Sequence, residues 1–450
     1  MNFARSVEYL LSLGNEVSAM KLGLENIRTL LAALGNPQEN YLKVQVAGTN
    51  GKGSVCAFLD SICNEAGIRT GTYTSPHLIS ITERIRINGV DISKDEFARI
   101  ANLVRETSEA LLTDERLEYR PTFFEQMTAI ALLAFAEADV KLAILETGLG
   151  GRLDATTAAN ADIVAITRID LDHQEYLGNT IEEIAAEKAA IIHPGSIVIV
   201  ADQDARAMEV IFGRCHKFKI EPRLASKISV FKKGKKTSGN ERDASLQSFQ
   251  IAASSAFDIV SDTGKYIDVV PGLRGEHQLE NTKVAVLVAE ALQDKFDISP
   301  QGIVAGLENS RHPGRLEFSE RYLFDGAHNL GGALALRAYI EEFVSQPITM
   351  IFGAMSGKDI PAMVETLFPL ADTLILTKPA NSRAMTAEEL ADQIPISVQP
   401  TDFIMTDSVN HAIAEAESRT AANGLILVTG SLYLVGEVKK ILGDKSASLI

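Results

Sequence analysis

The chain is poor in cysteine, in basic charge and in long apolar runs, and each shortage removes a class of function. Its three cysteines, Cys56, Cys63 and Cys215, have no metal-ligand spacing. Cys56 and Cys63 fall on one predicted helix, which suits a packed face better than a disulfide and points to a reducing compartment. The formal net charge of -16 argues against a general affinity for nucleic acid, while leaving room for a local basic pocket around an anionic ligand. One basic run, KKGKK from Lys232 to Lys236, stands beside Gly and Ser and reads as a solvated hairpin tip. No uninterrupted apolar run is long enough to span a bilayer. The first segment, MNFARSVEYLLSLGNEV, carries a glutamate among its apolar residues and has no cleavage site, so it does not read as a signal peptide. The expected setting is the cytoplasm.

What is present is an ordinary globular composition, 46% hydrophobic and 23% charged over 450 residues, enough for about two or three domains. Short β-type runs alternate with amphipathic segments. Leu142 to Leu145, Ile163 to Thr167 and Ile197 to Val200 read as strands, with Phe123 to Glu137 and Ile181 to Ile192 as helices. That is the rhythm of a parallel α/β sheet. The pattern breaks near Pro313 and Gly314, then restarts with Tyr322 to Phe324, a loop GAHNLGG and a helix from Ala333 to Phe343. A second α/β unit continues through Ile348 to Phe352, Thr373 to Leu376 and Leu425 to Val428.

The most informative stretch is VQVAGTNGKGS, Val44 to Ser54. A β-branched run leads into glycines, and helical spacing follows from Ser54 to Ala66, so the glycines sit where a strand turns into a helix. Backbone amides and the helix N-terminus then face an anion, Lys52 neutralises terminal phosphates, and Ser54 is placed to help hold Mg2+. The spacing departs from the ordinary Walker pattern, which wants glycine at Val46 and a hydroxyl residue at Gly53. A structural connector is the alternative for such a loop on its own.

Two further clusters follow strands. In LETGLGGRLDATT, Glu146 ends an apolar strand before a glycine loop, a natural Mg2+ ligand or else a loop cap. After Thr167 come Asp170, Asp172 and His173, the last a hydrogen-bonded loop residue or a ligand. Lys188 stands on an apolar helix, where a core-facing lysine must be paired, neutral or modified, unless its face is solvated.

GTNGKGS at Gly48, TSPHL at Thr74, Glu146 to Thr157, DHQEYLGNTIEEIAAEKAAI at Asp172, GEHQLEN at Gly275, PGRLE at Pro313, DGAHN at Asp325 and VTGSLYLVGEV at Val428 stand in order from about Gly23 to Val438. Together they resemble folylpolyglutamate synthase and dihydrofolate synthase of the Mur ligase superfamily. The resemblance implies an α/β architecture with an N-terminal P-loop ATPase-like domain of mostly parallel sheet, over 1–309, and a smaller C-terminal Rossmann-like domain, over 310–450. It implies an ATP-dependent carbon-nitrogen ligase with its active site in the cleft between them, joining L-glutamate to dihydropteroate, to reduced folates or to both. The family is usually monomeric.

The resemblance also assigns residues. Asn50, Gly51, Lys52, Gly53 and Ser54 cradle the ATP phosphates, and Ser75, Glu146 and His173 hold Mg2+. Lys188 is the family's carbamylated lysine, an anion able to support a metal. Lys52, Lys188 and His173 form the expected catalytic set. Asn281, Arg315, Asp325 and His328 match positions that grip the nucleotide. Thr122, Phe123, Phe124 and Glu125, with Leu153, Asp154 and Ala155, match the pterin-side pocket, where Phe123 or Phe124 stacks on the flat ring. Departures from the pattern are His312 for a tryptophan, Leu330 for a proline, and Ala190 and His193 for a glycine and a lysine; none removes an expected ligand. A muramyl-peptide ligase and a non-catalytic nucleotide-binding regulator are the alternatives. TSPHL, TFFE and LGGRLDATT fit the folate branch better than the first, and the metal trio beside Lys52 is superfluous in the second.

Overall fold

The computed structural model describes residues 1–14, 23–235, 255–395, 398 and 403–447. Two compact units make up the chain. Met1–Phe231, Phe257–Val269 and Glu280–Ser310 form the first, and Arg311–Ile450 with Val270–Leu279 and Lys232–Ala256 forms the second. Among the described residues no helix is long and apolar enough to cross a membrane.

The sheet of the first unit uses β1 (Leu42–Ala47), β2 (Thr70–Tyr73), β3 (Ile85–Ile87), β4 (Val90–Asp91), β5 (Leu142–Glu146), β6 (Ile163–Ile166), β7 (Ile197–Val200) and β8 (Arg223–Leu224). Their order is β4-β3-β2-β5-β1-β6-β7-β8. The pairs from β2 through β8 are parallel, and β3 and β4 add an antiparallel edge. Both faces of such a sheet are covered, so its strands are apolar throughout rather than alternating; Val44, Val46, Ile144, Val164 and Ile199 are all fully buried. Strand order reverses at β1, since β1 leads to β2 on one side and its other neighbour is β6. Ligands bind outside the carboxyl ends of strands at such a point, and the loop after β1 is the glycine-rich one.

Helix boundaries follow local capping. The helix Phe123–Glu137 is buried nearly all round and opens with a capping box: Thr122 Oγ1 accepts from the Glu125 amide at 3.3 Å, and Glu125 Oε2 accepts from the Thr122 amide at 2.8 Å. The helix after β1 begins at Lys52, ahead of the expected Ser54, because Gly51 at φ +92° turns the chain directly into it. The helix carrying Lys188 ends at Ala189, short of the expected Ile192. β10 (Ser255–Val260) pairs antiparallel with β11 (Lys265–Val269). Four of the five residues of KKGKK, Lys232 to Lys235, lie on the strand β9 (Ser229–Lys235) instead of at a hairpin tip, and Lys236 lies outside the described residues.

In the second unit β12 (Glu317–Ser319), β13 (Tyr322–Phe324), β14 (Ile348–Phe352), β15 (Thr373–Leu376), β16 (Phe403–Met405) and β17 (Leu425–Thr429) form a sheet ordered β12-β13-β17-β14-β15-β16. All neighbours but the edge pair β12–β13 are parallel. Its helix after β13 starts at Leu330, earlier than the expected Ala333, because Asn329 Oδ1 accepts from the Gly332 amide at 2.8 Å.

Candidate functional site: a lysine-lined phosphate loop

The carboxyl ends of β1, β2, β5 and β6 bring most of the sequence-predicted groups to one edge of the first sheet. In the loop after β1, Gly48 and Gly51 have φ of +155° and +92°. A Cβ on Gly48 would stand 1.8 Å from Thr167 Oγ1, and one on Gly51 2.1 Å from Asn281 Oδ1. Only glycine fits at either place, and the same closeness sets the buried Asn281 against the loop.

Lys52 Nζ donates to the carbonyls of Gly48 and Thr49 at 3.1 and 3.3 Å. Lys188, 3% exposed, reaches the same place from its helix, donating from Nζ to Gly48 O at 2.8 Å. Burial first, and then the Lys52 cation, hold the Lys188 amine down to about 7, against the upward pull of Asp172 and Asp154. Two amines thus converge on one neutral carbonyl, which accepts hydrogen bonds but cancels no charge. Lys52 offers a cation at the loop mouth that an anion can engage.

The loop does not offer every amide that the sequence predicts. Those of Thr49 and Asn50 donate to Arg168 O at 2.8 and 3.2 Å, and Asn50 Nδ2 donates to Asp170 Oδ2 at 2.9 Å. Lys52, Gly53 and Ser54 stand in the first helical turn, the end of a helix that favours an anion.

Of the metal trio, the structure joins two members directly: the Ser75 amide donates to Glu146 Oε2 at 3.2 Å, with Glu146 buried at the end of β5. His173 lies in the loop after β6 at φ +50°, its amide donating to Asp172 Oδ1 at 2.9 Å. Among the described residues no three His, Cys, Asp or Glu side chains cluster tightly enough to bind a metal by themselves. A hydroxyl, a carboxylate and an imidazole fit Mg2+ only in its usual phosphate-bound mode, where substrate oxygens and water complete the shell.

In the pterin-side segments both phenylalanine rings pack against protein side chains. Phe123 and Phe124 are 3% and 5% exposed. The Arg84 guanidinium lies 5.3 Å from the Phe123 ring centre, and Phe124 packs on Tyr73 with centroids 5.9 Å apart. Thr122 and Glu125 cap their helix. Asp154 is buried and accepts from the amides of Leu149 and Thr156 at 2.9 and 3.0 Å. It thereby shapes the loop between the half-buried Leu153 and the buried Ala155. Gln45, on β1, braces that loop by donating to Thr156 Oγ1 and Thr157 Oγ1 at 2.9 and 2.8 Å.

Arg315, Asp325 and His328 lie in the second unit, apart in the chain from Asn281 of the first. Asp325 is buried and accepts from the amides of Leu316 and Ala327, both at 2.9 Å. Burial pushes its carboxyl up, while Arg315 and the two amides pull it down. Arg315 Nη1 donates to Gly326 O at 3.3 Å, and His328 Nδ1 lies 2.8 Å from the same carbonyl. A carbonyl only accepts, so the His328 proton sits on Nδ1.

Sequence reasoning gave no role to Thr49, Arg168 or Gln203, all of which shape the phosphate loop. Hydroxyl, carbonyl and amide partners leave no local signature. Asp170 and Asp172 were visible only as carboxylates near His173.

The chain matches two family models, one described as Mur ligase middle domain over residues 46–289 and one as dihydrofolate synthetase, C-terminal domain, over residues 315–441. It is 35% identical to the dihydrofolate synthase/folylpolyglutamate synthase of Bacillus subtilis, over 94% of this chain and 95% of that protein. Among solved structures, Mycobacterium tuberculosis folylpolyglutamate synthase complexed with ADP superposes with a TM-score of 0.87 at 29% identity, covering 98% of this chain and 99% of the other. E. coli FolC in complex with DHPP and ADP gives 0.83 at 26% identity, covering 99% of each.

Proposed function

The chain belongs to the dihydrofolate synthase/folylpolyglutamate synthase family of Mur ligases, and from that premise we propose that it performs both ligations, adding L-glutamate to dihydropteroate and to reduced folates. It is an ATP-dependent ligase of folate metabolism. The observation that carries the reading is Lys52 at a glycine-walled strand-to-helix turn, with the Lys188 amine on the same Gly48 carbonyl.

A carboxylate is a poor acyl donor. In the proposed reaction its oxygen attacks the γ-phosphorus of ATP, the bond to ADP breaks, and an acyl phosphate forms. Lys52 leaves its loop carbonyls for the phosphate oxygens and offsets the charge that builds on them. The glutamate amine then attacks the acyl carbon and loses a proton, and the tetrahedral intermediate expels inorganic phosphate to leave the amide. Ser75, Glu146 and His173 would hold Mg2+, which supplies charge neutralisation at the phosphates when bound. Carbamylation of Lys188 is part of the same proposal, supported by its lowered proton affinity and its hydrogen bond to Gly48 O. Only the neutral amine takes up CO2, and an amine held near 7 has a large neutral fraction at neutral pH; loss of one proton from the ammonium and of a second on N–C bond formation with CO2 turns a cation beside Lys52 into an anion. Arg315, Asp325, His328 and Asn281 are proposed nucleotide contacts on family resemblance. A cytoplasmic monomer is part of the same proposal.

The test is ADP release by purified protein given ATP, magnesium, bicarbonate and glutamate with dihydropteroate, tetrahydrofolate or a UDP-linked muramyl acid. Glutamate-dependent release with the first two is expected. Release with only one of them removes bifunctionality, and release with the muramyl acid alone overturns the assignment.

A further inference from the structure

The phosphate loop is gripped from one side by a single tripeptide, 168–170, that no step above uses. Arg168 O accepts the amides of Thr49 and Asn50. The Asp170 amide donates to Thr49 Oγ1 at 3.1 Å while Thr49 Oγ1 donates to Asp170 O at 3.0 Å, so one hydroxyl accepts and donates to hold both residues in place. The Asp170 carboxylate divides its oxygens: Oδ2 takes Asn50 Nδ2 at 2.9 Å and Oδ1 takes Arg168 Nε at 3.1 Å. The tripeptide is anchored in turn, because Gln203 Oε1 accepts from the Ile169 amide at 2.9 Å and Gln203 Nε2 donates to Thr167 O at 2.8 Å.

We infer that Asp170 is a positioning residue that clamps Thr49 and Asn50, so that the first-turn amides and Lys52 meet phosphate in a preset arrangement. A carboxylate beside an anion site opposes the ligand by charge. Arg168 at 3.1 Å offsets that repulsion, and the remaining effect is geometric: the ordering entropy of the loop is met before nucleotide arrives. The same segment runs on to His173, so the phosphate loop and the His173 loop are braced as one piece. The inference rests on the phosphate-loop reading, not on which acid is glutamylated.

The experiment measures ADP binding by calorimetry, and KM for ATP and for the folate acceptor, on the full chain and on Asp170→Ala, Asp170→Asn and Thr49→Val. Asp170→Ala should weaken ADP about tenfold, the worth of one hydrogen bond to a charged group. Its KM for ATP should rise in parallel, with the acceptor KM unchanged. Asp170→Asn keeps an oxygen for Asn50 and should recover most of the affinity, whereas a role in stability alone would give no such split between substrates. Asn50→Ala combined with Asp170→Ala should bind ADP no more weakly than Asn50→Ala alone. The clamp is overturned if Asp170→Ala binds ADP within about twofold of wild type, or if the acceptor KM moves as far as that for ATP. Should Asp170→Ala fail to fold, Asp170→Asn and Thr49→Val decide: near-wild-type ADP binding by Asp170→Asn with weakened binding by Thr49→Val supports it, and any other pairing overturns it. Wild-type protein that binds ADP but makes no glutamylated product sinks the ligase reading and leaves the clamp to be judged on ADP alone; wild-type protein that binds no ADP sinks both.

Discussion

The loop after β1 in the first unit and the DGAHN loop after β13 in the second are both glycine-punctuated turns at the carboxyl ends of parallel strands, yet they balance charge in opposite ways. In the first, two amines crowd one carbonyl and the burial of Lys188 lowers its affinity for protons. In the second, the buried Asp325 carboxylate is met by two backbone amides and faces Arg315. The first arrangement leaves the Lys52 cation for a phosphate to engage. The second is nearly closed on itself, and its carboxylate holds the shape of its loop. Two motifs that look alike in the sequence thus differ in what holds their charges, Gly48 O taking two amines in one and Asp325 taking two amides in the other.

Substitutions separate the two. Lys52→Ala should have the largest effect, lowering ATP-dependent turnover by about a thousandfold or more, since it removes the cation aimed at the transferring phosphoryl group; near-normal ADP release would take Lys52 out of that role. Lys188→Met should cost about a hundredfold in turnover and remove a pH dependence of stability. The folded pKa is about 7 against 10.5 for an ordinary lysine, so between those values the unfolded chain binds more protons and stability rises with pH. Urea unfolding of wild type in bicarbonate-free buffer should show that rise, and Lys188→Met should flatten it. In labelled bicarbonate, wild type should gain one carboxyl group as pH passes upward through about 7, and the variant none.

The second loop should respond in stability. Asp325→Ala leaves the amides of Leu316 and Ala327 without their carboxylate, at a cost of about 2–4 kcal/mol; a loss below about 0.5 kcal/mol in urea unfolding would mean that the carboxylate is not what shapes the loop. The smallest effect belongs to Leu330→Pro. Leu330 is 40% exposed at the first position of its helix, and Asn329 before it is extended at φ -147° and ψ 169°. Proline suits both positions, so it should raise stability by about 0.4–1 kcal/mol. A fall in the unfolding midpoint would show that Leu330 packs more than its exposure suggests.

Much of the fold was readable because its strands are apolar runs bounded by turns. Ile197–Val200, Tyr322–Phe324, Ile348–Phe352 and Thr373–Leu376 stand where periodicity places them. Helix starts were less legible. Periodicity marks where apolar spacing begins, whereas Gly51 and Asn329 begin their helices ahead of it. The site was legible as motifs, with Lys188 conspicuous because a lysine on an apolar face demands an explanation. The interior positions of Phe123 and Phe124 were not, because an aromatic pair has the same composition whether it lines a pocket or fills a core.

The sequence by itself determined the strand-to-helix turn after β1, the alternation that makes two parallel α/β units, and the presence of a lysine on an apolar helix, all of which follow from local sterics and hydrophobic spacing. Tertiary structure decided that Lys52 and Lys188 share Gly48 O, that Arg168 O occupies two loop amides, and that Asp170 holds Asn50. Lys188 and Gly48 are 140 residues apart, and Asp170 and Asn50 are 120 apart. Only packing of the parallel strands brings such pairs within hydrogen-bond distance, and no local pattern encodes which donor will find which acceptor there.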